Sequence, residues 1–194
     1  MRLHILNLSV LVAVVVAFSG CGNKGGGGEP APQGPVPPDQ ISEQEFQGRP
    51  GTFSGTWRGD CVIEVGPQRS TSCTLTLRIK QQPGLIDITQ EVSAGFGGGQ
   101  AERSKSREVF TYSRNQIRGR EGRSGAIGPR VLTVVTPPEA SNNGSAVRTT
   151  LRKTGPNTAQ LMVDSLLQGN RATVRADLRS VTRQLPRARS TSRY

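Results

Sequence analysis

Apolar and polar residues alternate along several stretches of this chain, and that period of two constrains its fold more than any other feature. The clearest stretch runs from residue 53 to residue 65, where only Val62 interrupts the polar face. The opposite, apolar or small face consists of Phe53, Gly55, Trp57, Gly59, Cys61, Ile63 and Val65. Because successive side chains of a strand point to opposite sides, this pattern is typical of a β-strand with one buried face.

The same alternation predicts strands along most of the chain. Strong signals lie at 73–80, 147–152 and 172–179, and weaker ones lie at 85–92, 107–113, 115–120, 130–136 and 158–164. Turn-forming triplets such as Gln82-Pro83-Gly84 favour hairpins between successive strands. We predict an all-β domain over residues 52–184, a small antiparallel up-and-down β-barrel or a sandwich of about eight to ten short strands. A barrel is favoured because closure removes exposed strand edges.

The first 21 residues have the layout of an export signal. A short basic start is followed by an apolar stretch over residues 5–18, which is too short to span a bilayer comfortably. Together with Ser19-Gly20-Cys21, the segment resembles the lipobox signal peptide of bacterial lipoproteins, with Phe18 where leucine is usual. The resemblance implies that residues 1–20 are a cleaved signal peptide. It also implies that Cys21 becomes the lipid-bearing, palmitoylated first residue.

The residues that follow Cys21 predict a tether. Residues 21–51 are rich in Gly and Pro and have few apolar side chains, so we expect a flexible linker there. Gly22 stands where lipoproteins kept at the inner membrane carry Asp, which favours the outer membrane, with the domain in the periplasm or facing outward. At the other end of the chain, we expect residues 185–194 to form a disordered basic tail.

Two cysteines remain once Cys21 is assigned to lipid. Cys61 and Cys73 form an even pair in an oxidising compartment. Both lie on the inward face of neighbouring predicted strands, nearly symmetrical about a turn at Pro67. We therefore predict a disulfide between them, with two buried free thiols as the alternative.

The first predicted strand contains Gly55-Thr56-Trp57, which resembles the Gly-x-Trp motif that opens the lipocalin barrel. The lipocalin Thr-Asp-Tyr motif is absent. The resemblance implies that Trp57 closes one barrel end and packs on an arginine from near the last strand. Alternatively, Trp57 is an ordinary aromatic residue of the core. Candidates for that arginine are Arg175, Arg179 and Arg183. Candidates to line or guard an interior cavity are Phe96, Phe110, Tyr112 and Met162.

The net charge of +11 comes mainly from arginines after residue 48, and arginine is well suited to phosphate and carboxylate groups. If the last strand closes on the first, outward basic residues form a candidate surface for an anionic partner: Arg58, Arg78, Lys80, Arg175 and Arg179. A second basic run contains Arg103, Lys105, Arg107, Arg114, Arg118, Arg120 and Arg123. Lipid head groups, lipopolysaccharide and peptidoglycan are the expected partners. Nucleic acid is not, because of the export signal and the sparse aromatics.

Catalytic and metal-binding residue types are scarce in the predicted mature chain. His4 is the only histidine and leaves with the signal peptide. The acidic residues are scattered singly, so we expect no metal site, no cofactor, no catalytic residues and no enzyme, with carboxylate-based activity as the remaining alternative. We predict a lipid-anchored envelope protein that acts as a binding module for an anionic envelope component. The alternative is a lipocalin-like carrier of a small apolar ligand.

Overall fold

The computed structural model describes residues 42–66, 69–94, 102–141, 144–167 and 170–181. The predicted signal peptide, Cys21, the tail, Phe96 and Arg183 lie outside these residues. The described residues form ten β-strands, which are listed here in chain order: β1 Gly55–Val65, β2 Arg69–Gln82, β3 Leu85–Ala94, β4 Glu102–Ser113, β5 Gln116–Arg118, β6 Ser124–Ile127, β7 Val131–Thr136, β8 Val147–Lys153, β9 Thr158–Leu167 and β10 Asn170–Ser180. Two short 3₁₀ turns occupy Glu43–Phe46 and Pro138–Ala140.

Every strand pairs antiparallel with its neighbour in sequence, and β10 pairs with β1 to close the sheet into a barrel. The seam is well defined, because Trp57 lies opposite Ser180 and Val65 opposite Ala172. This arrangement confirms the predicted up-and-down barrel and excludes the sandwich. Closure leaves no strand edge unpaired along the β1–β10 seam, as the edge argument anticipated.

Alternation explains which side chains form the core. The residues of β1 that face inward, including Trp57, Cys61 and Ile63, are buried, whereas Val62 is exposed as its position in the pattern requires. The nine predicted strands are all present, and the structure adds β6, which has the sequence Ser-Gly-Ala-Ile. β6 carries no alternating signal. Its Gly125 lies where a Cβ would meet the backbone oxygen of Thr133, so the strand depends on a close backbone approach.

The two ends of the barrel differ. Residues 42–54, which we call the strap, contact the end at which β1 begins, and we call this the strap end. Gly51 N donates to Gly128 O (2.9 Å), and Gln81 accepts from Phe53 N (2.8 Å) while donating to Gly51 O (3.0 Å). Residues 42–51 were predicted to belong to the tether. Their attachment to the barrel could not be predicted from apolar residues, since it depends on backbone groups and an ion pair.

The disulfide is confirmed. Cys61 on β1 lies directly opposite Cys73 on β2, and their Cα atoms are 4.8 Å apart. Both side chains face the barrel interior, so the bond ties the first hairpin together from inside. Within the described residues, no helix is long and apolar enough to cross a membrane.

Candidate functional site

The barrel interior is apolar towards the strap end. Inward residues there come from nearly every strand and are buried: Leu77, Ile79, Ile86, Phe110, Ile117, Ile127, Leu132, Leu151 and Leu178. Phe53, on the strap, is fully buried beneath them. Burial of a large aliphatic or aromatic side chain contributes about 1.5–3 kcal/mol, so this half of the interior accounts for much of the barrel's stability.

Trp57 lies on the inward face of β1 at this end, as the Gly-x-Trp resemblance implied. Its Nε1 donates to Phe53 O (3.0 Å). The cation near its ring is Lys153, at the end of β8, whose Nζ lies 5.8 Å from the ring centroid and donates to Thr52 O (2.7 Å). Of the candidate arginines near the last strand, Arg175 and Arg179 point outward, as alternation indicates, and are exposed, so neither packs on Trp57.

Further from the strap end, the barrel interior contains polar side chains from β3 and β4. Gln90 on β3 lies opposite Ser106 on β4, and Glu108 is the next inward residue of β4 towards the strap end. All three are less than about a tenth exposed, with Gln90 only 3% exposed. Gln90 Oε1 accepts no hydrogen bond from the described residues. A buried acceptor without a donor costs about 1–3 kcal/mol, so this atom is a candidate contact for a ligand.

Arg123 completes this polar patch from the connection between β5 and β6. Its Nε lies 3.5 Å from Glu108 Oε1, and the side chain is 5% exposed. Its Nη2 donates to Ala140 O (3.1 Å) and its Nη1 to the carboxylate of Glu121 (2.7 Å). Arg123 was predicted to belong to the second basic surface run. That prediction is wrong, because residues in a connection have no alternation to show which way they face.

Beside the polar patch, the strands of the barrel wall are paired over only a short length. β4 pairs with β3 along Glu102–Thr111 but with β5 only along Thr111–Ser113. The connection after β5 packs on the inside instead. A Cβ at Gly119 would lie 2.8 Å from the Phe110 ring. On the β5 side of Glu108, side chains rather than a strand ladder therefore form the wall, whereas on the other side Glu108 pairs with Ile88.

The predicted anionic-partner surface is brought together only in part. Arg58 lies directly opposite Arg179 across the β1–β10 seam, and both line an open groove of about 740 Å³ on the outer wall. The same register puts Asp60 beside Asp177, and both acids line the groove. These two carboxylates separate the Arg58–Arg179 pair from Arg175, so the face is mixed in charge. The acidic residues were expected to be scattered singly, so this pair of carboxylates was not predicted.

The other predicted residues of this surface lie further along the sheet. Arg78 is opposite Thr56 and Lys80 is opposite Asp87. Asp87 accepts two hydrogen bonds from Arg107 (3.0 and 2.8 Å). These bonds lower the pKa of Asp87 from its ordinary value, against the opposing effect of partial burial, and the charges of Arg107 and Lys80 add to the lowering.

Three of the four residues predicted to line or guard a cavity lie in the described part of the chain. Phe110 is buried in the interior, and Tyr112 is half-buried and packs against the core. Met162 instead lines the outer groove, because it alternates with the buried Leu161 and Val163. Gln90, Ser106 and Glu108 were missed, although their inward positions continue the alternation of β3 and β4. In the described residues, no cluster of three or more His, Cys, Asp or Glu is placed to hold a metal ion.

No protein-family model and no curated protein matches this chain. Its barrel matches the solved structure of the S-type phycobiliprotein lyase CPES from Guillardia theta, with a TM-score of 0.53 and 10% identity over 67% of this chain and 89% of that chain. It also matches a protein of unknown function of the DUF3598 family from Nostoc punctiforme, with a TM-score of 0.50 and 13% identity over 69% of this chain. The matched region spans 50% of that second protein.

These matches correct one expectation. The prediction that the chain is not an enzyme is wrong as a firm statement, because a barrel of the same architecture belongs to a lyase. Residues scattered in sequence can come together in space, as Asp60 and Asp177 do, so scattered carboxylates were a poor argument against catalysis. Identities this low establish the fold alone. The described residues therefore form an all-β, closed barrel of ten strands of the lipocalin-like kind.

Proposed function

We propose that the barrel binds a small, mainly apolar molecule in its interior and that the molecule's polar group lies at the polar patch formed by Gln90, Ser106, Glu108 and Arg123. The observation that carries this proposal is Gln90 Oε1, a buried acceptor with no hydrogen-bond donor among the described residues. A hydroxyl or N–H group on the ligand would satisfy it. The apolar half of the interior suits the rest of such a molecule.

Barrel size and side-chain size also support interior binding. A barrel of about eight strands holds at most one small ligand, and the diameter grows with strand number. The described barrel has ten strands. Small residues occupy inward positions on β9 and β10, namely Ala159, Ser165, Ala172 and Ala176. They leave more space on that side of the interior than leucine or isoleucine would.

The first experiment compares native and denatured mass spectra of residues 22–194 produced in an oxidising compartment. We expect an additional mass that is lost on denaturation, together with the two-hydrogen deficit of the disulfide. A second measurement uses N-phenyl-1-naphthylamine, a neutral apolar dye with one N–H donor. We expect saturable fluorescence enhancement, because the dye has both features that the interior requires.

A pair of variants tests the role of Gln90. Gln90→Leu should weaken dye binding about tenfold, the value of a typical hydrogen bond. Gln160→Leu is the matched control, because Gln160 is exposed on the outer face of β9. Equal affinity of both variants would remove Gln90 from the site. A bare native mass combined with no dye binding by the folded protein would contradict interior binding altogether.

We also propose that Cys21 anchors the protein to the outer membrane by lipid. The support is the lipobox resemblance, and two or three acyl chains give durable attachment at about 0.8 kcal/mol for each buried CH₂. With an ordinary cleavable signal peptide in place of residues 1–20, Cys21→Ser should move the protein from membranes washed with high salt to the soluble fraction. Cys61→Ala combined with Cys73→Ala should leave it in the membrane, which separates anchoring from the disulfide. Unchanged fractionation of Cys21→Ser after the same high-salt wash would refute the anchor, because high salt releases protein that is bound by charge alone.

An anionic partner at the outer groove is the second candidate function. It is favoured by the Arg58–Arg179 pair and weakened by Asp60 and Asp177 beside it. Replacing Arg58, Arg175 and Arg179 together by Ser should reduce retention on lipopolysaccharide or peptidoglycan if this groove binds either of them. Equal retention of the wild type and this triple variant would exclude the groove as that site.

A further inference from the structure

The strap is fixed to the barrel by contacts that are distributed along its length. The side-chain amide of Asn115 donates to Phe46 O and to Gly48 O, and Arg152 forms an ion pair with Glu45 (3.0 Å). Gly128 lies where a Cβ would meet Glu45 O, so the strap and the β6–β7 turn are in close contact. The chain therefore arrives at the barrel at its strap end.

Exposed arginines surround the strap at this end. Arg49 belongs to the strap itself, Arg114 precedes Asn115 in the β4–β5 turn, and Arg130 lies in the β6–β7 turn. Arg118 lines an open pocket of about 710 Å³ together with Arg114. Within the part of the chain that the structure describes, no ion pair is formed by Arg49, Arg114 or Arg130. This end therefore presents uncompensated positive charge.

Acidic residues offset only part of this charge. Of the acids on the strap, Glu45 is paired with Arg152, and Glu43 is a single exposed carboxylate against the three arginines. The opposite end of the barrel differs, because acids there lie among the basic residues. They include Glu64, Glu102, Glu121 and Glu139. Positive charge is thus concentrated at the end where the chain from Cys21 enters the barrel.

We propose that the strap end lies against an anionic phospholipid surface, with the opposite end of the barrel facing away from the membrane. Each lysine or arginine near such a surface strengthens binding about fivefold at physiological salt. The inference rests on the proposed anchor at Cys21, which would keep the barrel within reach of the bilayer. Charge then selects which end faces the lipid. In this orientation, the sparsely paired part of the wall beside Arg123 faces the aqueous compartment.

Vesicle binding of the unlipidated chain tests this orientation separately from the anchor. Residues 22–194 should bind vesicles that contain phosphatidylglycerol, bind pure phosphatidylcholine vesicles much less, and dissociate at high salt. Replacing Arg49, Arg114 and Arg130 together by Gln should weaken binding about a hundredfold. The matched control replaces Arg103, Lys105 and Arg120 by Gln, which removes the same charge from exposed positions away from the strap. It should bind nearly as the wild type does.

Paramagnetic broadening provides a second readout. With a gadolinium-chelating lipid in the vesicles, amide signals of residues 114, 115, 128 and 130 should broaden, and those of 120–122, 139 and 140 should not. Equal loss of binding in both triple variants, equal binding to both kinds of vesicle, or uniform broadening would overturn the proposal. None of these results depends on lipid at Cys21 or on a ligand in the barrel, so a failure here is distinct from a failure of either proposed function.

Discussion

Arg123 places a positive charge inside a barrel whose inward faces are mainly apolar. The charge is balanced by Glu108 and Glu121 and by hydrogen bonds to Ala140 O and Arg120 O. Removing one member of a buried ion pair leaves the other charge in a poor solvent, whereas replacing both can be nearly neutral. The pair therefore contributes less to net stability than either single substitution would suggest.

A double-mutant cycle tests the energetics of this pair. Arg123→Met should lower the free energy of unfolding by about 3–5 kcal/mol, because it removes the positive charge that faces the buried Glu108. The double variant with Glu108→Leu should be more stable than Arg123→Met alone. Urea unfolding of the four proteins gives the coupling energy. Additive losses in the double variant would show that the two side chains do not interact.

Asp87 offers a pH-dependent prediction on the outer face. The hydrogen bonds from Arg107 lower the pKa of Asp87 in the folded state, so the pair's contribution to stability is present above the unfolded-state pKa. The contribution is lost as the pH falls through the lower folded-state pKa. NMR titration of the Asp87 carboxyl should show this low pKa, and Arg107→Gln should raise it. Arg103→Gln, on the same face of β4, should leave it unchanged.

At the scale of elements, the β1–β2 hairpin is joined both by its strand ladder and by the Cys61–Cys73 bond. The bond closes a loop with a sequence separation of 12 residues. In the chain-entropy model, such a loop stabilises the fold by about 3 kcal/mol. Guanidinium unfolding with and without a reductant should therefore show a loss of about that size. Cys61→Ala with Cys73→Ala should show a similar loss and no further effect of the reductant.

The strands were predictable because alternation is a local signal that each strand carries by itself. β6 was not, because Ser-Gly-Ala-Ile has no alternation and its pairing depends on the close approach of Gly125 to Thr133 O. The attachment of the strap was missed for a similar reason. Backbone carbonyls that accept from Asn115 leave no trace in the strap sequence. Contacts made by connections have no period from which to infer them.

The candidate site shows the same division. Gln90 and Glu108 continue the inward phase of their strands, so a search for polar residues at apolar positions would have found them. Arg123 and Lys153 lie in or next to connections, and only the closed barrel shows what they contact. The seam pairing of Arg58 with Arg179 was predictable once closure was assumed. The same register puts Asp60 and Asp177 between this pair and Arg175.

At the scale of the whole molecule, the barrel wall is uneven. β1, β2, β9 and β10 pair over long registers, whereas β5 pairs with β4 and with β6 over three positions each. Fewer ladder bonds hold the β5–β6 hairpin than any of these long strands. Local opening is drawn from the parts of a structure with the least pairing and packing. The hairpin is therefore where the wall should open most readily, next to the polar patch.

Native-state hydrogen exchange tests this expectation. Amides of residues 116–127 should exchange through local opening, with little dependence on low concentrations of urea. Amides of β1, β2, β9 and β10 should exchange only through global unfolding, with a steep urea dependence. If an apolar ligand enters beside Arg123, bound N-phenyl-1-naphthylamine should slow exchange in the hairpin more than in β1 and β2. Exchange of the hairpin at the rate of global unfolding would show a uniformly stable wall. Ligand entry would then have to occur at one of the barrel ends.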